Sequence, residues 1–286
     1  MKSTRVFVLT LLAMIAFAGN SLLCRAALKQ TTVDAATFTL VRIFSGAAAL
    51  WLIVKMRHPS ALADDRRIHG NWLSALALFA YAAAFSFAYV DLSAGTGALL
   101  LFGAVQATMI LWGLHKGERL DAIQIVGFTV AVTGLIILLF PSLSAPPLIG
   151  SILMLGAGVA WGIYSLRGKG EKNPASVTTG NFVRAVPFAA AVSIISIHWV
   201  DINPAGVSYA MISGAITSGL GYVIWYSALQ DLKAASAATV QLSVPVLAAT
   251  GGILLLGEPL TSRYLLASLA ILGGIALVVL EKNRAL

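Results

Sequence analysis

Charge is what this sequence has little of. Only 30 of its 286 residues are Asp, Glu, Lys or Arg, while 59% are hydrophobic and the mean hydropathy is +0.90. In ordinary soluble domains roughly a quarter of the residues are charged, and a soluble core of this length would need a polar shell that this composition cannot supply. One cysteine, Cys24, allows no intrachain disulfide and leaves the redox compartment unmarked. Acids are missing from the interior of every apolar run. Asp34, Asp91, Glu118, Asp121, Asp231 and Glu258 stand at run ends, and His58, His69, His115 and His198 fall in loops or at boundaries. That argues against a carboxylate or imidazole proton relay at membrane depth. It also leaves no His/Asp/Glu metal cluster and no base beside a Ser or Cys nucleophile, which counts against an intramembrane enzyme. No metal or cofactor is expected.

What is there is a series of apolar runs of spanning length, about 20 residues each. They lie near 5–24, 34–55, 71–90, 93–114, 121–140, 148–167, 176–199, 206–229, 235–257 and 262–281. The first has Lys2 and Arg5 before it, but it is long for a signal peptide and nine more follow, so it reads as an uncleaved helix. With the N-terminus in the cytoplasm, Lys2, Arg5, Lys55, Arg57, Arg66, Arg67, Lys116, Arg119, Arg167, Lys169, Lys172, Lys233, Lys282 and Arg284 fall on the cytoplasmic side. Arg25, Lys29 and Arg263 fall on the other. Fourteen against three is a positive-inside pattern that puts both termini in the cytoplasm. The net charge of +8 thus marks orientation in a bilayer and not affinity for nucleic acid.

Pro141, Pro146 and Pro147 break the chain at its centre. The halves on either side resemble each other. Leu114-His115-Lys116-Gly117-Glu118-Arg119-Leu120 matches Leu254-Leu255-Leu256-Gly257-Glu258-Pro259-Leu260, and Asp91-Leu92-Ser93-Ala94 matches Asp231-Leu232-Lys233-Ala234. Arg42 aligns with Arg184, and Ala16-Phe17 with Ala160-Trp161. Five spans per half make the second copy enter from the opposite side, so residues 1–143 and 144–286 read as inverted repeats. The expected fold is an all-α membrane protein, ten transmembrane helices around a central cavity. Inverted repeats let one sequence build inward-open and outward-open forms by exchanging the conformations of its halves.

The paired Gly117-Glu118-Arg119 and Gly257-Glu258-Pro259, Pro245 within the ninth span, and the Ala-rich Leu229-Gln230-Asp231-Leu232-Lys233-Ala234-Ala235 before it resemble the drug/metabolite transporter superfamily, in its ten-span, EamA-like branch. The resemblance covers nearly the whole chain. With its aromatic pattern, the sequence is most similar to the YddG-type aromatic amino acid exporters. The resemblance implies a basket of ten helices around a central cavity, export from the cytoplasm and broad amino acid selectivity.

Two arginines fall within spans, Arg42 and Arg184, each about nine residues in from opposite sides. A guanidinium at that depth costs on the order of 2.5–3.5 kcal/mol on insertion scales and must face protein or water. Two roles are open for each: receiving a substrate carboxylate or gating, and bonding backbone carbonyls for structure alone. Aromatic residues form the second pattern. Tyr81, Phe85 and Tyr89 make one helical stripe, and Tyr222, Trp225 and Tyr226 another. Tyr81, Phe85, Trp161, Tyr164 and Trp225 are expected to line the cavity. Trp51, Trp72, Trp112, Trp199 and Tyr264, with Tyr89 and Tyr226, read as interfacial anchors. The buried amides Asn20, Gln106 and Gln241 bond either substrate or neighbouring helices. Pro245 beside Gln241 is a candidate hinge, and Glu258 and Glu118 suit a structural role at helix ends.

The expected protein is a bacterial inner-membrane exporter of amino acids, aromatic ones included, working by alternating access as a facilitative uniporter. Its partners are small-molecule substrates and the bilayer, with no obligatory protein partner. Two other readings stand beside it: a carrier of the same fold for drugs or other metabolites, proton-coupled or not, and an integral-membrane enzyme.

Overall fold

The computed structural model describes residues 2–57, 69–117, 119–140, 145–168, 171, 173–232 and 240–282, with backbone alone at 2–3 and 279–282. Glu118, Pro141, Lys233-Ala234-Ala235, His58, Arg66, Arg67, Lys169, Lys172 and Arg284 lie outside the described residues.

Apolar sequence in a bilayer must satisfy its backbone internally, and every described element is helical. The helices are α1 (Lys2–Gln30), α2 (Ala35–Arg57), α3 (Trp72–Ala88), α4 (Ala94–His115), α5 (Ala122–Leu139), α6 (Leu148–Gly168), α7 (Pro174–Ile195), α8 (Pro204–Leu229), α9 (Ser243–Leu256) and α10 (Ser262–Lys282). Seven are long and apolar enough to cross a membrane; the apolar stretches Trp72–Ala88, Ser243–Leu256 and Ser262–Val278 are shorter. The first part of the expected ninth span, 235–239, lies outside the described residues. The expected seventh span overshoots α7, which stops at Ile195 before a short turn of 3-10 helix, Ile197–Trp199.

Starts and stops follow local chemistry. Asn71 accepts from Ser74 N to cap α3, Ser93 accepts from Thr96 N to cap α4, and Asp121 with Gln124 forms a capping box on α5. Asn173-Pro174 and Asn203-Pro204 open α7 and α8. Gly257 adopts φ 64°, a left-handed turn, and Glu258 N then donates to Gly252 O at 3.0 Å. This turn aims Glu258 back under α9.

α5 and α10 pair closely at one side, where Gly127 and Gly274 each face the other's backbone carbonyl with no room for a Cβ. α6 packs against α3 and α4, α2 against α7 and α8, α4 against α9, while α1 lies between α8 and α9. Large apolar side chains such as Phe7, Ile194, Leu254 and Leu269 point outward, as lipid-facing surface requires.

α8 is not a regular α-helix. Residues Ser213–Leu220 are wound as a π-helix, and Gly214 within this segment sits against the Arg42 carbonyl and Ser45 Oγ of α2. Any side chain at 214 would collide with α2. Wide winding of this kind is rare and often marks a functional site.

Candidate functional site

α2 enters the bundle with Thr39, Arg42 and Ile43 buried. Arg42 is 1% exposed. Its guanidinium reaches two neighbours: Nη2 donates to Tyr81 Oη of α3 at 2.9 Å, and Nε donates to Ser218 Oγ of the π segment at 3.3 Å. Its Cζ lies 5.2 Å from the Tyr81 ring centroid and 4.8 Å from that of Phe85, so aromatic faces take part of its charge. Nη1, though buried, has no hydrogen-bond partner.

Asn20 of α1 completes the polar cluster. Its Nδ2 donates to Tyr81 Oη at 3.2 Å, and its Oδ1 accepts from Ser213 Oγ at 2.7 Å and Thr217 Oγ1 at 3.3 Å. Tyr81 Oη thus receives from both Arg42 and Asn20, which uses its two lone pairs. The π segment matters here because its loosened turns bring Ser213, Thr217 and Ser218 onto the surface that meets α1 and α2.

Around this cluster the rings pack on one another. Trp161 lies 4.7 Å from Tyr222, 4.9 Å from Tyr81 and 6.1 Å from Phe17, and Phe17 lies 5.8 Å from Trp225. These separations fall in the range of offset and edge-to-face pairs. The Tyr222 hydroxyl is buried beside that of Tyr81. Asn20, Arg42, Tyr81, Phe85, Trp161 and Trp225 therefore come together as expected. They meet as a closed, ring-filled centre in this conformation instead of lining open space.

The other candidates lie elsewhere. Tyr164 touches Trp161 at 5.6 Å, but its hydroxyl accepts from Asn181 Nδ2 at 3.4 Å, towards the end of the bundle that carries Asn71. Gln106 and Gln241 are buried on α4 and just before α9. Pro245 is buried in the first turn of α9, so the bend expected in mid-span falls at the helix start, after Leu242. Arg184 does not reach the centre. It is half-buried, and its Nη1 donates to Gly180 O of its own helix at 3.0 Å.

Three anchoring assignments need correction. Tyr89 and Tyr226 are buried inside the bundle, because each ring finds protein before lipid: Tyr89 stacks on Phe85 at 4.7 Å and donates to Ala94 O at 3.2 Å. Tyr264 also faces inward, its hydroxyl 3.5 Å from Pro245 O. Trp72, Trp112 and Trp199 are exposed, as anchors should be. Arg25, read as a loop cation, is buried within α1 and paired with Glu258 at 3.1 Å. Span boundaries drawn from hydropathy stopped one residue short of it.

Sequence reasoning missed Ser213, Thr217 and Ser218. Their signal was present as hydroxyls at i, i+4 and i+5 among small residues within an apolar run, the pattern of a polar inner face.

A cavity of about 190 Å³ opens at the Glu258 end, among Ser93, Thr96, Glu258, Thr261 and Tyr264. At the Asn71 end a narrow cleft of about 10 Å³ is bounded by Asn71, Tyr164, Arg167, Asn181 and Tyr226. There Arg167 donates to Ser74 Oγ at 2.9 Å and Asn71 Oδ1 at 3.1 Å, and Asn71 N donates to Asn181 Oδ1 at 3.0 Å. Among the described residues no group of His, Cys, Asp and Glu is placed to hold a metal.

The architecture is that of a multi-pass helical membrane protein with a polar and aromatic centre between two constricted ends. The chain belongs to the EamA-like transporter family, whose model matches it twice, over residues 4–140 and 148–280. It therefore falls within the drug/metabolite transporter superfamily that its paired motifs resemble. An uncharacterized protein of Pseudomonas aeruginosa is 55% identical over 279 residues, covering 98% of this chain and 96% of its own length. The threonine/homoserine exporter RhtA of Escherichia coli K12 is 34% identical over 174 residues, covering 57% of each chain. A solved crystal structure superposes over 99% of both chains with a TM-score of 0.66 at 15% identity, a likeness of fold.

Proposed function

We propose that this carrier exports amino acids from the cytoplasm across the bacterial inner membrane by alternating access, with Arg42 receiving the substrate carboxylate. The observation that carries the reading is the unpartnered Nη1 of a guanidinium that is 1% exposed and whose Nε and Nη2 each donate to a neighbouring hydroxyl. A buried donor left without an acceptor costs on the order of 1–3 kcal/mol, more when charged. A carboxylate satisfies such donors and the unneutralised charge together. Phe17, Trp161, Tyr222 and Trp225 offer aromatic faces to the rest of the substrate, which supports acceptance of aromatic amino acids and the narrower YddG-type resemblance. The match to a threonine/homoserine exporter supports amino acid export of broader range.

Basic residues at the Asn71 end, Lys55, Arg57, Lys116, Arg119 and Arg167, support an orientation with that end and both termini in the cytoplasm. The Glu258 end then faces outward. The described residues at the centre include no titratable acid, which supports facilitated uniport down the substrate gradient. Residues 1–143 and 144–286 act as the two inverted halves that exchange conformations.

The deciding experiment is counterflow of labelled amino acids in liposomes holding only this protein, with no proton gradient. Accumulation of threonine and of phenylalanine or tryptophan is expected. Counterflow of other small carboxylates in place of any amino acid would move the reading to a different metabolite, and strict dependence on an imposed pH difference would sink the uniport.

A further inference from the structure

An ion pair is buried at the Glu258 end, and its two side chains tie four helices. Arg25 Nε of α1 donates to Glu258 Oε1 at 3.1 Å, while Arg25 Nη1 donates to the carbonyls of Tyr89 and Val90, just past α3, at 2.9 and 2.7 Å. Glu258 follows α9, and its Oε2 accepts from Ala94 N at 2.8 Å, at the first residue of α4. Beneath this network lies the Tyr89 ring, 0% exposed and seated against the bare backbone of Gly97.

The backbones of α1 and α3 hardly approach each other, and side-chain hydrogen bonds join the two helices. Side chains span the interval: Asn20 to Tyr81 at the centre, Arg25 to the end of α3 at the Glu258 end. Between these points stand Cys24 on α1 and Ser86 on α3, both buried. A seam held by side-chain bonds opens by breaking those bonds alone, whereas a close helix crossing such as Gly127 on Gly274 must unpack. The cavity of about 190 Å³ lies just beyond, and Glu258 forms part of its wall.

We propose that substrate leaves the central site along the α1–α3 seam, and that the Arg25–Glu258 pair, closing over the Tyr89 ring, is the latch that shuts this route. The proposal rests on the alternating-access reading but not on the identity of the substrate. Opening the latch exposes the buried charges to water entering the route, so the pair breaks where its members can be rehydrated. Glu258 has two separable roles, since the Oε2 that caps α4 survives amidation while the charge that holds Arg25 does not.

The test uses accessibility and needs no substrate. In the full chain carrying Cys24→Ser and Ser86→Cys, the new thiol is labelled with a membrane-impermeant maleimide in membranes permeabilised to expose both faces. Glu258→Gln is expected to raise the labelling rate tenfold or more, and Arg25→Gln to do the same while leaving the α4 cap intact. Asn181→Ala, at the opposite end, is expected to leave the rate within about twofold. Protein yield and melting temperature are recorded for each variant, and if Glu258→Gln does not fold, Arg25→Gln decides. Folded variants that label at the parent rate overturn the latch. So does an equal rise in Asn181→Ala, which would mean that the thiol reports general loosening. Because no transported molecule enters this assay, a failed amino acid counterflow and a failed latch are distinguishable.

Discussion

Arg42 and Arg184 occupy equivalent places in the two halves of the sequence, yet they end in different surroundings. Arg42 on α2 extends away from its own helix to Tyr81 on α3 and Ser218 on α8, so side chains from both halves of the chain meet on one guanidinium. Arg184 on α7 folds back onto Gly180 O, four residues earlier on the same helix. Part of the difference lies in what each helix packs against. α2 lies along the π segment, where Gly214 allows backbone contact and hydroxyls reach inward. Gly180 of α7 instead receives the backbone of His69, ahead of α3. Sequence symmetry thus places two cations at similar depth, and tertiary packing gives only Arg42 a place at the centre.

The strongest way to break the comparison is to remove each cation in turn. Arg42→Ala is expected to lower kcat/KM for counterflow about a hundredfold, the scale of a lost charge-assisted hydrogen bond of roughly 3 kcal/mol. Arg42→Lys restores charge but not the planar fork, and a loss of about tenfold is expected from the same assay. Trp161→Ala should then weaken phenylalanine and tryptophan about tenfold in competition counterflow while threonine changes much less, since aromatic contacts add on the order of 0.5–1.5 kcal/mol beyond burial. Equal losses for all three substrates would make Trp161 a packing residue. Tyr81→Phe deletes the oxygen on which Arg42 and Asn20 both rest, and a fall of about fivefold in kcat/KM is expected for one neutral-acceptor contact. The smallest effect belongs to Arg184→Ala, within about twofold of wild type. A loss there equal to that of Arg42→Ala would show that the two arginines act alike and undo the comparison.

Much of this was legible in the sequence because a bilayer restricts what a chain can do. Apolar runs of spanning length must be helices, and charges within them must face inward, so the helices and the burial of Arg42, Asn20 and Gln106 follow from hydropathy alone. The stripe Tyr81, Phe85, Tyr89 was readable as one face by its spacing, but whether that face met lipid or protein was not. Tyr89 and Tyr226 illustrate the limit: near a span end the same residue serves as an anchor or as a plug, and only the neighbouring helix decides. Arg25 was obscured for a related reason. Hydropathy sees where a run ends, whereas α1 continues to Gln30 and carries its arginine against Glu258, 233 residues away.

By itself, then, the sequence determined a helical membrane protein of two related halves, two cations within the spans at Arg42 and Arg184, and apolar runs whose acids stand only at their ends. These are local or compositional facts, set by the cost of placing charge and unpaired backbone in hydrocarbon. Only the tertiary structure decided that Arg42 is central and Arg184 peripheral, that Ser213, Thr217 and Ser218 join Asn20, and that Arg25 meets Glu258. Each of those outcomes depends on which helices lie side by side, and contacts between residues far apart in the chain leave no trace in the spacing of either partner.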